Sequence, residues 1–125
     1  MIPTSLGATV LFIDDPQRSK EFYERTFALQ AVNEDDDAVT FRFDNTLIHL
    51  LRKASAEQQV APARAGSAPA CMLTIWVEDA DAACATLRER GVDLVNGPVD
   101  QPWGVRAAIF ADPSGHLWEV AAPTG

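Results

Sequence analysis

Leu11-Phe12-Ile13-Asp14-Asp15-Pro16 and Ile75-Trp76-Val77-Glu78-Asp79-Ala80 read alike when the first is shifted by 64 positions onto the second. Each opens with a short apolar run suited to a strand. Each then offers an aspartate where a helix starts, able to accept hydrogen bonds from backbone amides that have no intrahelical partner. Pro16 follows Asp15 at the first helical position, where its fixed φ suits the turn, and the first helix is expected to run through Phe27. The second is expected to run through Arg90 and stop at Gly91, which can take the left-handed conformation.

Working outward, each helix is followed by β-like sequence. Residues 29–32 come first, then Val39-Thr40-Phe41-Arg42-Phe43 alternates strictly, and Asp44-Asn45 can turn the chain into residues 46–51 as a hairpin. After the second helix come residues 92–95, 106–110 and 117–120, with turn chemistry at Asn96-Gly97-Pro98 and Asp112-Pro113-Ser114-Gly115. Both halves therefore read as βαβββ modules, 6–53 and 70–122, in a single α+β domain covering 1–125. Residues 54–69 between them, rich in Ala, Pro, Ser and Gln, read as an exposed linker. One helix covers only one face of such a sheet. The other face must meet a second module or a ligand, so two modules facing each other would enclose a cleft.

The chain has 125 residues and a mass of 13.6 kDa, with 47% apolar and 22% charged residues, which fits one globular domain. Ten basic residues against eighteen acidic ones give a net charge of −8. That balance excludes a phosphate-tracking protein, so no nucleic-acid partner is expected; it weakly favours cationic ligands. Residues 1–7 lack a secretory pattern and no apolar run approaches the ~20 residues that span a bilayer, so a cytoplasmic, non-membrane protein is expected. Cys71 and Cys84 fit neither a zinc pattern nor a disulfide framework and read as two buried free thiols.

Several segments together resemble the vicinal oxygen chelate superfamily of glyoxalases, extradiol dioxygenases, and fosfomycin- and bleomycin-resistance proteins. They are the Asp15 to Tyr23 stretch ending in Phe22-Tyr23, the Val77 to Gly91 unit, Pro102-Trp103-Gly104, and Asp112-Pro113-Ser114-Gly115-His116-Leu117-Trp118-Glu119. The resemblance runs from Leu6 to Ala122 and is nearest to the bleomycin-resistance-like members. It implies paired βαβββ modules forming a curved mixed sheet around a cleft, in a homodimer. Ala28 departs from it, since the family commonly has Gly after the first helix.

Metal-dependent members of that superfamily place ligands at positions that fall here on Ala8, His49, Met72 and Glu119. His49 and Glu119 carry suitable donors. Ala8 carries none, and a lone Met thioether is soft, suiting Cu(I) rather than the hard divalent ions. Two protein ligands fall short of the three or four that a catalytic metal normally takes, so no metal and no cofactor are expected. Alternation then puts Val10, Phe12, Thr74 and Trp76 on the face of Ala8 and Met72, and pairs Leu47 and Leu51 with His49, and Leu117 and Ala121 with Glu119.

The candidate ligand-binding residues are Phe12, His49, Met72, Trp76, Trp103, Arg106 and Glu119. Phe12 and Trp76 either stack on a ligand or fill the sheet interface, and Trp103 in its Pro-Trp-Gly loop suits stacking on a planar molecule. Arg106 either clamps an acidic ligand group or forms a salt bridge with Asp or Glu. His49 and Glu119 are either polar anchors for proton transfer or a structural pair, and Met72 is an adaptable lining residue. Together these imply a metal-free protein that sequesters a flat, partly hydrophobic small molecule of antibiotic type, as resistance proteins do. The alternative is a metal-dependent lyase, isomerase or dioxygenase. The first reading makes the chain a binder rather than an enzyme.

Overall fold

A computed structural model of the chain describes residues 2–124. These residues form an α+β protein of two units, residues 1–66 and 67–125 by internal contact.

The first unit begins with β1 (Ala8–Ile13) and α1 (Pro16–Phe27). Asp15 caps α1 as its sequence predicts: Oδ1 accepts from the amides of Gln17 at 3.1 Å and Arg18 at 3.3 Å, a contact worth about 1 kcal/mol. Phe22, Tyr23 and Thr26 recur at helical spacing and are buried. Tyr23 lies against Phe41 with ring centroids 5.8 Å apart, so the helix is held by aromatic burial. The helix ends at Ala28 in the left-handed region, φ 53°. Next come β2 (Asn33–Glu34), β3 (Ala38–Arg42) and β4 (Leu47–Arg52), in a mixed sheet of order β1-β4-β3-β2. The pairing after α1 begins at Asn33, beyond residues 29–32, because residues 29–31 make no ladder and Val32 only donates its amide to the Thr40 carbonyl.

Residues 54–60 differ from their reading as exposed linker. With Lys53 they form α2 (Lys53–Val60), in which Ala56 is completely buried. Lys, Ala, Glu and Gln are good helix formers, and three polar contacts fix the helix start. Lys53 pairs with Asp14 at 3.0 Å, Arg52 pairs with Asp37, and Ser55 also hydrogen-bonds Asp37.

The second unit repeats the plan with β5 (Met72–Trp76), α3 (Ala80–Glu89), β6 (Leu94–Gln101), β7 (Val105–Ala111) and β8 (Leu117–Pro123), in sheet order β5-β8-β7-β6. Asp79 caps α3 through the Ala82 amide at 3.0 Å, and Gly91 follows its end at φ 80°. Asn96-Gly97-Pro98 does not turn the chain, as its composition suggests it would. It lies inside β6, where the ladder to β7 slips twice. Gly97 is required there: a Cβ would lie 2.5 Å from the Ala107 carbonyl oxygen, at a φ of +85°. The Asp112-Gly115 turn does form. Asp112 is buried and its Oδ1 accepts from the amides of Ser114 at 2.9 Å and His116 at 2.8 Å. Cys84 is buried on α3, and burial raises its thiol pKa; Cys71 is exposed, contrary to its sequence reading.

Candidate functional site

Strand pleating divides each sheet into a helix-covered face and an open one. In the first unit Leu11, Ile13, Val39, Phe41, Ile48 and Leu50 are buried on the side of α1. The open face has three rows set by the register. Ala8, Leu47 and Arg42 form one, Val10, His49 and Thr40 the next, and Phe12, Leu51 and Ala38 the third. The third row is covered by α2, since Ala38, Leu51 and Ala56 form one buried cluster with Phe12 and Ala65 packed on it. Phe12 is therefore engaged by the chain itself. In the middle row Thr40 and His49 share a hydrogen bond of 2.7 Å between Oγ1 and Nδ1. This fixes the ring and leaves Nε2 for another partner.

The second unit has the corresponding rows. Met72, Leu117 and Ala111 form the first; Thr74, Glu119 and Ile109 the second; Trp76, Ala121 and Ala107 the third. The Thr74 hydroxyl donates to Glu119 Oε1 at 2.8 Å. No helix of this unit lies on the face away from α3, and Met72 and Trp76 are 45% and 68% exposed. Trp103 is 70% exposed, in the β6–β7 hairpin closed by the Gly104 amide on the Gln101 carbonyl. That hairpin lies at the end of the sheet where β5 stops.

Arg106 falls on the other face. It pairs with Ala122 on β8, in the alternation of Ala108 and Phe110 that faces α3. Its guanidinium binds Asp81 at 3.0 Å and Asp100 at 3.1 Å, and these hydrogen bonds raise its pKa. Of the seven candidates, the open face of the second unit thus holds Met72, Trp76 and Glu119, with Trp103 at its end. His49 and Phe12 belong to the first unit's face. Of the threonines beside His49 and Glu119, alternation places Thr74 on the open face, whereas Thr40 is not singled out by the sequence. A hairpin turning at Asp44-Asn45 puts Thr40 opposite His49, so that contact could have been found.

The ligand set of metal-dependent relatives does not fit. Among the described residues no three His, Cys, Asp or Glu side chains gather to hold an ion, and each of the two donors His49 and Glu119 already engages a threonine hydroxyl.

Two four-stranded mixed sheets, each built in βαβββ order, define a class of two-module α+β proteins. The chain belongs to the Glyoxalase/Bleomycin resistance protein/Dioxygenase superfamily, whose pattern it matches over residues 5–120. The YraH protein of Bacillus subtilis strain 168 is 32% identical over 117 residues, covering 88% of this chain and 91% of that protein. A glyoxalase-related enzyme from Fulvimarina pelagi superposes with a TM-score of 0.85 at 20% identity, covering 96% of this chain and 88% of that one. TnmS3, an antibiotic binding protein from a Streptomyces species, superposes with a TM-score of 0.73 at 25% identity, covering 98% of both chains. No helix among the described residues is long and apolar enough to cross a membrane.

Proposed function

We propose that the protein binds a flat, partly hydrophobic small molecule of antibiotic type without a metal ion, sequestering it rather than transforming it. The observation that carries this reading is the open face of the second unit. Exposed Trp76 and Met72 flank the polar pair of Thr74 and Glu119 on a face whose other β5, β7 and β8 residues are apolar. Exposed aromatic and thioether side chains beside few polar groups are the usual makeup of a small-molecule site. The donor set argues against an ion, and the likeness to an antibiotic binding protein is consistent with capture. The active form is a homodimer in the cytoplasm, with Trp103 as a further contact at the end of that face, His49 Nε2 as the polar group on the first unit's open face, and Arg106 reserved for its ion pairs.

Equilibrium titration of tryptophan fluorescence with planar aromatic antibiotics tests this. Saturable quenching that is lost in Trp76→Leu is the expected result; no saturable quenching with any of them sinks the reading. Elemental analysis separates the rival. Near-stoichiometric Ni, Zn, Mn or Fe, lost in His49→Ala, would mark a metal-dependent lyase, isomerase or dioxygenase instead.

A further inference from the structure

Among the described residues the second unit's open face has one ionisable side chain on its strands, Glu119, and no cation of that unit pairs with it. Its row neighbours are Thr74 and Ile109, with Met72, Leu117, Trp76 and Ala121 in the flanking rows. The residue is half-buried. Thr74 satisfies Oε1, whereas Oε2 has no hydrogen-bond partner among the described residues. None of the ion pairs among the described residues includes Glu119. The unit's three arginines are placed elsewhere: Arg88 on α3, Arg90 at its end, and Arg106 on the helix-covered face with Asp81 and Asp100. Against those three the unit carries eight acidic residues, a net charge of −5.

We infer that this face is built for a cation: a protonated amine on the ligand is received by Glu119 while the ligand's aromatic or aliphatic body lies on Trp76. The inference rests on the binding reading above and adds the charge class of the ligand. Trp76 stands two residues along and one strand across from Glu119, about 8 Å between Cα atoms from strand geometry. One small molecule can therefore touch both. An ammonium there gains the carboxylate, and the indole face attracts the same charge. A neutral planar ligand would cover the carboxylate and strip its water with no compensation, which is costly. An anion would be repelled, and a metal ion lacks donors.

A matched pair of probes tests the charge separately from the binding. 9-(Aminomethyl)anthracene and 9-(hydroxymethyl)anthracene share a ring system and differ in whether the side group is cationic at pH 7. Titrated against the full chain by fluorescence, the amine is expected to bind about tenfold more tightly than the alcohol, and Glu119→Gln to abolish that advantage by weakening the amine, the alcohol binding no less tightly than before. The glutamine keeps an acceptor for Thr74, and unchanged thermal unfolding confirms that the variant is folded. Trp76→Leu is expected to weaken both probes, the amine at least as much as the alcohol. Equal binding of the two probes, an advantage that survives Glu119→Gln, or indifference of both probes to Trp76→Leu would overturn the inference and leave capture of small molecules standing. Binding of neither probe would overturn both.

Discussion

The two units share a plan and use its second face differently. Phe12 and Trp76 stand at the same place on the first strand of each unit, opposite Leu51 in one and Ala121 in the other. Phe12 is packed under α2, whereas Trp76 is 68% exposed. The cause is local. The first unit's last strand runs straight into Lys53–Val60, which folds back over the Phe12 row, whereas among the described residues no helix follows the second unit's last strand. Duplicated sheets thus teach that an apolar residue on an open face is cover-dependent. The same strand position stabilises the fold where the chain supplies a lid and stands exposed where it does not.

Forcing the lid off is the strongest way to break this contrast. Ala56→Asp puts a carboxylate in a fully buried site without a partner and is expected to cost about 3 kcal/mol. Urea unfolding followed by circular dichroism measures it, and a loss below about 1 kcal/mol would show that α2 is not a working cover. Truncating the two equivalent residues comes next. Phe12→Ala is expected to cost about 2 kcal/mol, less than a fully buried Phe, whereas Trp76→Ala should stay within about 0.5 kcal/mol. Equal costs would mean that Trp76 is held by the protein as Phe12 is.

The shared plan was legible because its signals are local and repeated. Asp15 with Pro16, Asp79 with Gly91, and the Asp112–Gly115 turn each set a backbone conformation through their own side chain or lack of one. Strand alternation also sorted Val10, Phe12, Thr74 and Trp76 onto one kind of face. What the sequence concealed depends on contacts distant along the chain. Residues 53–60 lack an apolar stripe, and the helix's one fully buried side chain is the methyl of Ala56, too small a signal for periodicity to carry. Asn96-Gly97-Pro98 has turn composition, yet Gly97 is needed because the Ala107 carbonyl presses against it. Arg106 was compatible with a ligand clamp or a salt bridge. Only the register to Ala122, which turns it toward Asp81, decides which face it takes.

The helix ends offer a finer comparison. The first helix closes on Ala28 at φ 53°, and the second is followed by Gly91 at φ 80°. A Cβ in this region crowds the following carbonyl, which glycine avoids. Ala28→Gly should therefore stabilise the protein by about 0.5–1 kcal/mol, the relief of strain exceeding the added freedom of the unfolded chain. Gly91→Ala should destabilise it by about 1 kcal/mol. Thermal unfolding of the two variants checks the opposite signs, and two losses would show that Ala28 is held in place by contacts that favour its methyl.

The smallest effect separates the units by pH. The first unit spends its acid–base tether where β4 runs into α2: Asp37 accepts from Arg52 and Ser55, which together fix the start of α2, and these bonds lower its pKa from the ordinary 3.8. The second unit spends its tether between α3 and the sheet, where Arg106 joins Asp81 and Asp100. A carboxylate whose folded pKa is depressed contributes stability above its unfolded value and loses it as pH falls through the folded one. The Asp37 contribution should thus be complete at pH 5 and fade below 3.8, and solvent screening at this exposed pair keeps it small. In Asp37→Asn the neutral amide cannot pair with the guanidinium, so the variant should be slightly less stable at pH 5 and converge on the parent as acid is added. If α2 is tethered this way, fluorescence of a tryptophan placed at position 12 in a Trp76→Phe background should report loosening of the lid over that same acid window. A signal that stays flat below pH 3.8 while the rest of the fold holds would show that Ala56 alone keeps the lid closed.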